Sequence, residues 1–115
     1  MSKRTIILLL EDMREAVEKI QRYTENMDQE AVETDDKTTY AVVRNLEIIG
    51  EAANRLPKDF RESQPEVEWI KIIGLRHSVV HKYFGVDLGL IWQIIQMDLP
   101  IFSKALEHIH STIKN

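Results

Sequence analysis

WIKIIGLRHSVVHKYFGVDLGLIW, the stretch Trp69–Trp92, carries the most informative pattern in the chain. Taken as a helix from about Glu66 to Tyr83, it shows one broad apolar arc. Trp69, Ile72, Ile73, Val79, Val80 and Tyr83 fall within about 60° of a common direction at about 100° per residue. Arg76 lies at the centre of that arc. A guanidinium is costly to bury unless it is paired and hydrogen-bonded. Either a carboxylate holds Arg76, or this face borders a site that needs a fixed positive charge. His77 and His81 are one turn apart and share a flank about 100–140° round from Arg76.

The segments on either side read as helices too. Lys37 to Arg55 predicts a helix that ends before Pro57, with Val42, Leu46, Ile49, Ala53 and Leu56 as its core stripe and Asp35 or Asp36 as its N-cap. Its Glu47 and Glu51, one turn apart, are the candidate partners of Arg76, although Arg44 can also reach Glu47. Gly50 sits mid-helix, where glycine costs about 1 kcal/mol relative to alanine. With Gly74 it predicts a close crossing of two backbones. Lys3 to about Met27 predicts the first helix, buried through Ile6, Leu9, Leu10, Met13, Ala16, Val17, Ile20 and Tyr23. The acidic run Asp28–Lys37 reads as a solvated connection with at most one short turn of helix, and Pro57–Pro65 as a polar connection of the same kind.

After Tyr83, Gly85 is expected to end the third helix and Asp87 to cap a fourth. Leu88, Trp92, Ile95, Leu99, Phe102, Leu106, Ile109 and Ile113 step by alternating fours and threes straight through Pro100. One long helix kinked near Pro100 is therefore expected. The whole predicts an all-α, antiparallel bundle of four main helices, with residues 1–115 forming one domain. The last helix offers more apolar stripe than its short neighbours can cover, which predicts a homodimer.

Composition narrows the function. The chain has no cysteine, so disulfides, thiol nucleophiles and cysteine metal sites are excluded. The apolar run Thr5–Leu10 is too short to span a bilayer, so a cytoplasmic protein with no membrane contact is expected. The formal charge of −4 argues against a broad basic face for duplex DNA. Any nucleic-acid contact would be local, through Lys71, Arg76, His77, His81 and Lys82. Arginine suits a phosphate and histidine suits proton transfer near neutral pH. Together they fit transesterification at an RNA phosphodiester. Arg76 and His81 are five residues apart, about 140° round one helix, so a site using both is easiest to build where two copies of the helix face each other.

Arg76, four residues, His81, one residue, Tyr83 forms an Arg-x4-His-x-Tyr motif. It resembles the signature of the HEPN superfamily (higher eukaryotes and prokaryotes nucleotide-binding), in its HepT-like toxin branch. RNLEIIGEAANRLP (Arg44–Pro57) is similar to that branch's second helix, and EVEWIKIIGLRHSVVHKYFGVDLGLIWQII (Glu66–Ile95) to its third helix and the start of its fourth. The resemblance covers about Ile6 to Leu106. It implies a helical dimer with the motif at its interface and, in many members, a metal-independent endoribonuclease that uses no cofactor. It makes Arg76 and His81 the catalytic pair. The position after the arginine is usually polar, often asparagine, and is His77 here. The resemblance also implies a toxin–antitoxin pair, whose minimal nucleotidyltransferase partner can attach AMP to Tyr83. Bulk and negative charge beside Arg76 would then block an RNA phosphate.

Other readings stay open at this level. Arg76 can be a structural cation salt-bridged to Glu47 or Glu51. His77 and His81 have the spacing of a metal pair, but no glutamate follows His77 in the zinc-protease manner and no third ligand is evident, so no metal is expected. His108 and His110 read as exposed or helix-end residues, and Trp69 and Trp92 as core anchors. A non-catalytic helical dimer that binds a nucleotide or docks a nucleotidyltransferase is the alternative function.

Overall fold

A computed structural model describes residues 1–81 and 85–114. Helix α1 (Lys3–Tyr23) starts at Ser2, whose hydroxyl oxygen accepts the Thr5 N–H at 3.1 Å. It buries Leu9, Leu10, Met13, Ala16, Val17 and Ile20, while Tyr23 lies exposed at its end. It stops short of Met27, at Thr24, whose backbone leaves the helical region at φ −102° and ψ 4° and whose hydroxyl donates to the Ile20 carbonyl. Asn26 then takes a φ of 64°, which no α-helix accommodates.

The acidic connection is more ordered than its composition suggests. Asp28 caps a six-residue helix, α2 (Gln29–Thr34), by accepting the Ala31 N–H at 2.9 Å. Val32 on that helix is fully buried. Asp35 then caps α3 (Asp36–Arg55), accepting the Thr38 hydroxyl at 2.8 Å. That bond holds the Asp35 carboxyl below its usual value. All five stripe residues expected here, Val42, Leu46, Ile49, Ala53 and Leu56, are buried. A single turn, α4 (Lys58–Glu62), follows Pro57.

The central segment departs from expectation. In place of one helix from Glu66 to Tyr83 there are two short ones, α5 (Trp69–Ile73) and α6 (Leu75–Val79). Gly74 between them sits at φ −92° and ψ 3°, too flat to continue the helix. The break changes the phase, so that Leu75 enters the core and Arg76 faces outward. Burying leucine and leaving a guanidinium in water is the cheaper arrangement. At Val80 the backbone becomes extended, as suits the β-branched pair Val79–Val80. Strand β1 (Val80–His81) pairs antiparallel with β2 (Gly85–Val86), Val80 opposite Val86 and His81 opposite Gly85. Gly85 therefore does not end a helix. It opens β2 at a φ of 78°, which glycine adopts without strain.

Asp87 caps α7 (Leu88–Gln93), accepting the Leu90 N–H at 3.0 Å. The long last helix exists, interrupted by one π-helical turn, Ile94–Asp98, before α8 (Leu99–Lys114). Pro100 lies just past that turn and has no N–H to give the preceding turn. The inserted residue displaces the first part of the stripe. Ile91 and Ile94 are buried there, while Leu88 and Trp92 are only half-buried. From Ile95 through Leu99, Phe102, Leu106 and Ile109 the stripe is buried as expected.

The fold is thus mostly helical, with several packed helices and a long C-terminal one. Helix α1 packs on α3 and α8, α3 packs on α5 and α6, and α2 bridges α3 and α7. The buried side chains form one hydrophobic core, in which Trp69 meets Phe102 edge to face. Gly50 is buried where α3 crosses the end of α5. Of the two glycines expected at a crossing, it is the one backed by another chain segment, and Gly74 serves instead as the break. Among the described residues no helix is long and apolar enough to cross a membrane.

Candidate active site

Arg76 stands on α6 with its side chain exposed, followed by the exposed His77 and Ser78. The Ser78 hydroxyl donates to the Gly74 carbonyl at 3.0 Å, tying the start of α6 to its second turn. His81 belongs to β1 rather than to the helix that carries Arg76. The extended step at Val80 removes the constraint that one helix must aim both groups at different sectors. Both side chains lie on open surface. The cleft of about 190 Å³ between α5 and α8 is lined by other residues, among them Lys71, Ile72, Asp98 and Phe102.

The expected clamp on Arg76 is not formed. Glu47 lies 3.6 Å from Arg44, three residues away on its own helix, and Glu51 is exposed. Neither makes an ion pair with Arg76. The break at Gly74 puts Leu75 in the core and leaves the Arg76 side chain exposed. Arg76 has no protein partner among the described residues and is free to meet a ligand. Lys71 does not join a shared cationic pocket either. Its ammonium donates to Asp98 at 2.9 Å, and that hydrogen bond, with the attraction of the two charges, raises the lysine above its ordinary value. Lys82 and Tyr83 lie outside the described residues.

One member of the site was read from the sequence only as a helix cap. Asp87 accepts the Leu90 N–H through Oδ1 and places Oδ2 3.8 Å from His81 Nε2. Its own N–H donates to the Val79 carbonyl at 2.7 Å. The sequence signal was Gly85 followed by the β-branched Val86. Had these been read as the return strand of a hairpin, Asp87 would have fallen diagonally across from His81. Among the described residues no three histidine, aspartate or glutamate side chains gather closely enough to hold a metal ion.

His110 also departs from expectation. It is buried between α1 and α8 rather than exposed. Arg14 Nη1 lies 3.0 Å from its Nδ1, and Glu11 Oε2 lies 3.0 Å from its Nε2. Since arginine can only donate, Nδ1 accepts and Nε2–H donates to the Glu11 carboxylate. Arg14 also donates from Nε and Nη2 to Glu107 Oε1, at 2.9 and 2.7 Å.

Comparison with known proteins bears on what this surface does. The family model described as "Ribonuclease HepT-like" matches residues 13–109. The "Putative RNase MJ1380" of Methanocaldococcus jannaschii is 40% identical over 107 residues, which cover 93% of this chain and 98% of that protein. The "Probable ribonuclease HepT" of Thermococcus cleftensis is 39% identical over 100 residues, 87% of this chain and 91% of its own. The "Putative RNase TTE0752" of Caldanaerobacter subterraneus is 45% identical over 75 residues, 65% of this chain and 67% of its own. No solved structure matches the chain. A match across nearly the whole helical core, shared with relatives that span the same length, makes this chain a member of the HepT-like ribonuclease family.

Proposed function

We propose that the protein is a metal-independent endoribonuclease, the toxin of a toxin–antitoxin pair, acting at a site completed by a second copy of the chain. The observation that carries this reading is the exposed Arg76, without a partner among the described residues, on the short helix that leads into the strand bearing the exposed His81, in a member of a ribonuclease family. A permanently charged fork with no partner among the described residues suits an incoming phosphate. Arg76 and His81 are both exposed, so a facing copy is what would enclose the substrate and exclude water.

In the reaction, an imidazole takes the proton of a ribose 2′-hydroxyl, and the 2′-oxygen attacks the adjacent phosphorus. The bond to the 5′-oxygen breaks, and that oxygen takes a proton from a second imidazole as it leaves. The products are a 2′,3′-cyclic phosphate and a free 5′-hydroxyl. Arg76 stabilises the charge that grows on the non-bridging phosphate oxygens. His81 from each of two copies supplies the base and the acid, with His77 beside Arg76 as a supporting donor. A minimal nucleotidyltransferase antitoxin would silence the site by adding AMP to Tyr83.

The test is cleavage of a labelled RNA in EDTA by the wild type, Arg76→Ala and His81→Ala, with dimerisation followed by light scattering. Cleavage by the wild type and a loss of about 10²–10⁴ in each variant are expected, with the dimer retained. Full activity in both variants would end the assignment. No cleavage by an unmodified wild-type dimer would favour a non-catalytic dimer that binds a nucleotide or docks the nucleotidyltransferase.

A further inference from the structure

We infer that Asp87 is a positioning residue for His81, beyond its role as the cap of α7. The inference rests on the reading of His81 as a proton-transfer group. It starts from the hairpin register. His81 pairs with Gly85, and residues paired across an antiparallel ribbon present their side chains on the same face. Asp87, two residues beyond Gly85, returns to that face as the diagonal neighbour of His81.

The aspartate is held there from two directions. Its N–H is bonded to the Val79 carbonyl at 2.7 Å, and its Oδ1 is bonded to the Leu90 N–H at 3.0 Å. These anchors fix the carboxylate plane and leave Oδ2 for the histidine. Oδ2 to Nε2 is 3.8 Å, an ion-pair distance longer than a hydrogen bond. A cap needs only one acceptor oxygen, which serine, threonine or asparagine also supplies. The second oxygen and the charge are unused by the helix and face the one imidazole of the motif.

The consequence is chemical. A fixed carboxylate at one ring nitrogen sets the orientation of the imidazole and stabilises the imidazolium it becomes on taking a proton, while the other nitrogen stays turned to the substrate. Asp87 touches neither substrate nor reacting atoms. It acts through His81.

Capping and positioning separate by substitution. Asp87→Asn keeps an acceptor for Leu90 and removes the charge. Asp87→Ser keeps a cap and is too short to reach His81. Cleavage of a labelled RNA should fall about 10- to 100-fold in kcat for both, the range seen when a group that orients a reacting ligand is lost, with KM unchanged and the melting temperature held. In a His81→Ala background the same substitutions should have no further effect on the residual rate. Wild-type kcat in both aspartate variants beside an inactive His81→Ala, or a change confined to KM, would overturn the inference alone. Absence of wild-type cleavage would overturn the ribonuclease reading and the inference with it, and full activity of His81→Ala would overturn the role of His81 and the inference that rests on it.

Discussion

A methyl group built on Gly50 would lie 2.7 Å from the carbonyl oxygen of Ile73. Helix α3 therefore crosses α5 with backbone against backbone, at the residue before the chain breaks at Gly74 and turns Arg76 outward. Gly50→Ala puts two effects in opposition. Alanine is better than glycine in a helix interior by about 1 kcal/mol, but overpacking a fixed backbone contact costs about 1–3 kcal/mol. The contact should win, since the atom met is main chain. A lower urea midpoint with an unchanged m-value is the expected result, and a raised midpoint would show that the crossing relaxes freely.

The His110 network makes a second prediction. His110→Ala removes the acceptor of Arg14 Nη1 and the donor to Glu11, between α1 and α8. Both partners are part-exposed and reach water, so the loss is that of ordinary hydrogen bonds, about 0.5–1.5 kcal/mol, compared with about 0.5 kcal/mol or less for an ordinary surface substitution. Equilibrium denaturation distinguishes the two.

The Lys71–Asp98 pair ties α5 to the π turn and gives a pH dependence of known sign. The lysine is raised above its usual 10.5, so its contribution is fully present below that value and is lost as pH rises through the folded-state value. Half of the lysine side chain is exposed, which limits the effect to about 1 kcal/mol or less. Lys71→Met should lower the melting temperature slightly near neutral pH, and the gap from the wild type should close in alkaline buffer. A gap that stays constant would assign the loss to packing of the lysine stem.

Arg76→Lys tests the geometry of the cation. It keeps the charge and loses the planar fork. A bidentate contact to phosphate predicts a fall of about tenfold to a hundredfold in RNA cleavage, corresponding to about 1.5–3 kcal/mol for one charged hydrogen bond. Equal rates would mean that a point charge suffices.

The long helices were legible because each repeats its apolar step over several turns, enough to average out one misplaced residue. The stripes of α1, α3 and α8 are buried nearly as written. Residues 66–83 defeat the same logic. A single glycine dihedral at Gly74 shifts the phase of a short segment, and periodicity cannot tell a continuous helix from two turns and a strand when Val79 and Val80 suit both. Read as one helix, the segment puts Arg76 at the centre of an apolar arc and makes Glu47 and Glu51 its candidate partners. The burial of His110 was hidden for a different reason. Its partners Glu11 and Arg14 lie at the far end of the chain, where no local pattern reaches. Arg76 and His81 stand out as site candidates by the chemistry of their side chains and by the Arg-x4-His-x-Tyr spacing that resembles a known family, neither of which depends on the helix being continuous.

The π turn at Ile94–Asp98 works as a joint between two halves of one helix. An extra residue in a turn rotates everything before it by about 100° relative to everything after it. The α7 half packs with α2, α3 and α6, and begins at the aspartate beside His81. The α8 half packs along α1. In an uninterrupted helix both halves would share one phase, and any drift that re-aimed Asp87 would also swing Phe102, Leu106 and Ile109 out of their seam. With the joint in place, Ile91 and Ile94 are buried at one phase and Phe102, Leu106 and Ile109 at another, so each half of the helix meets its own neighbours.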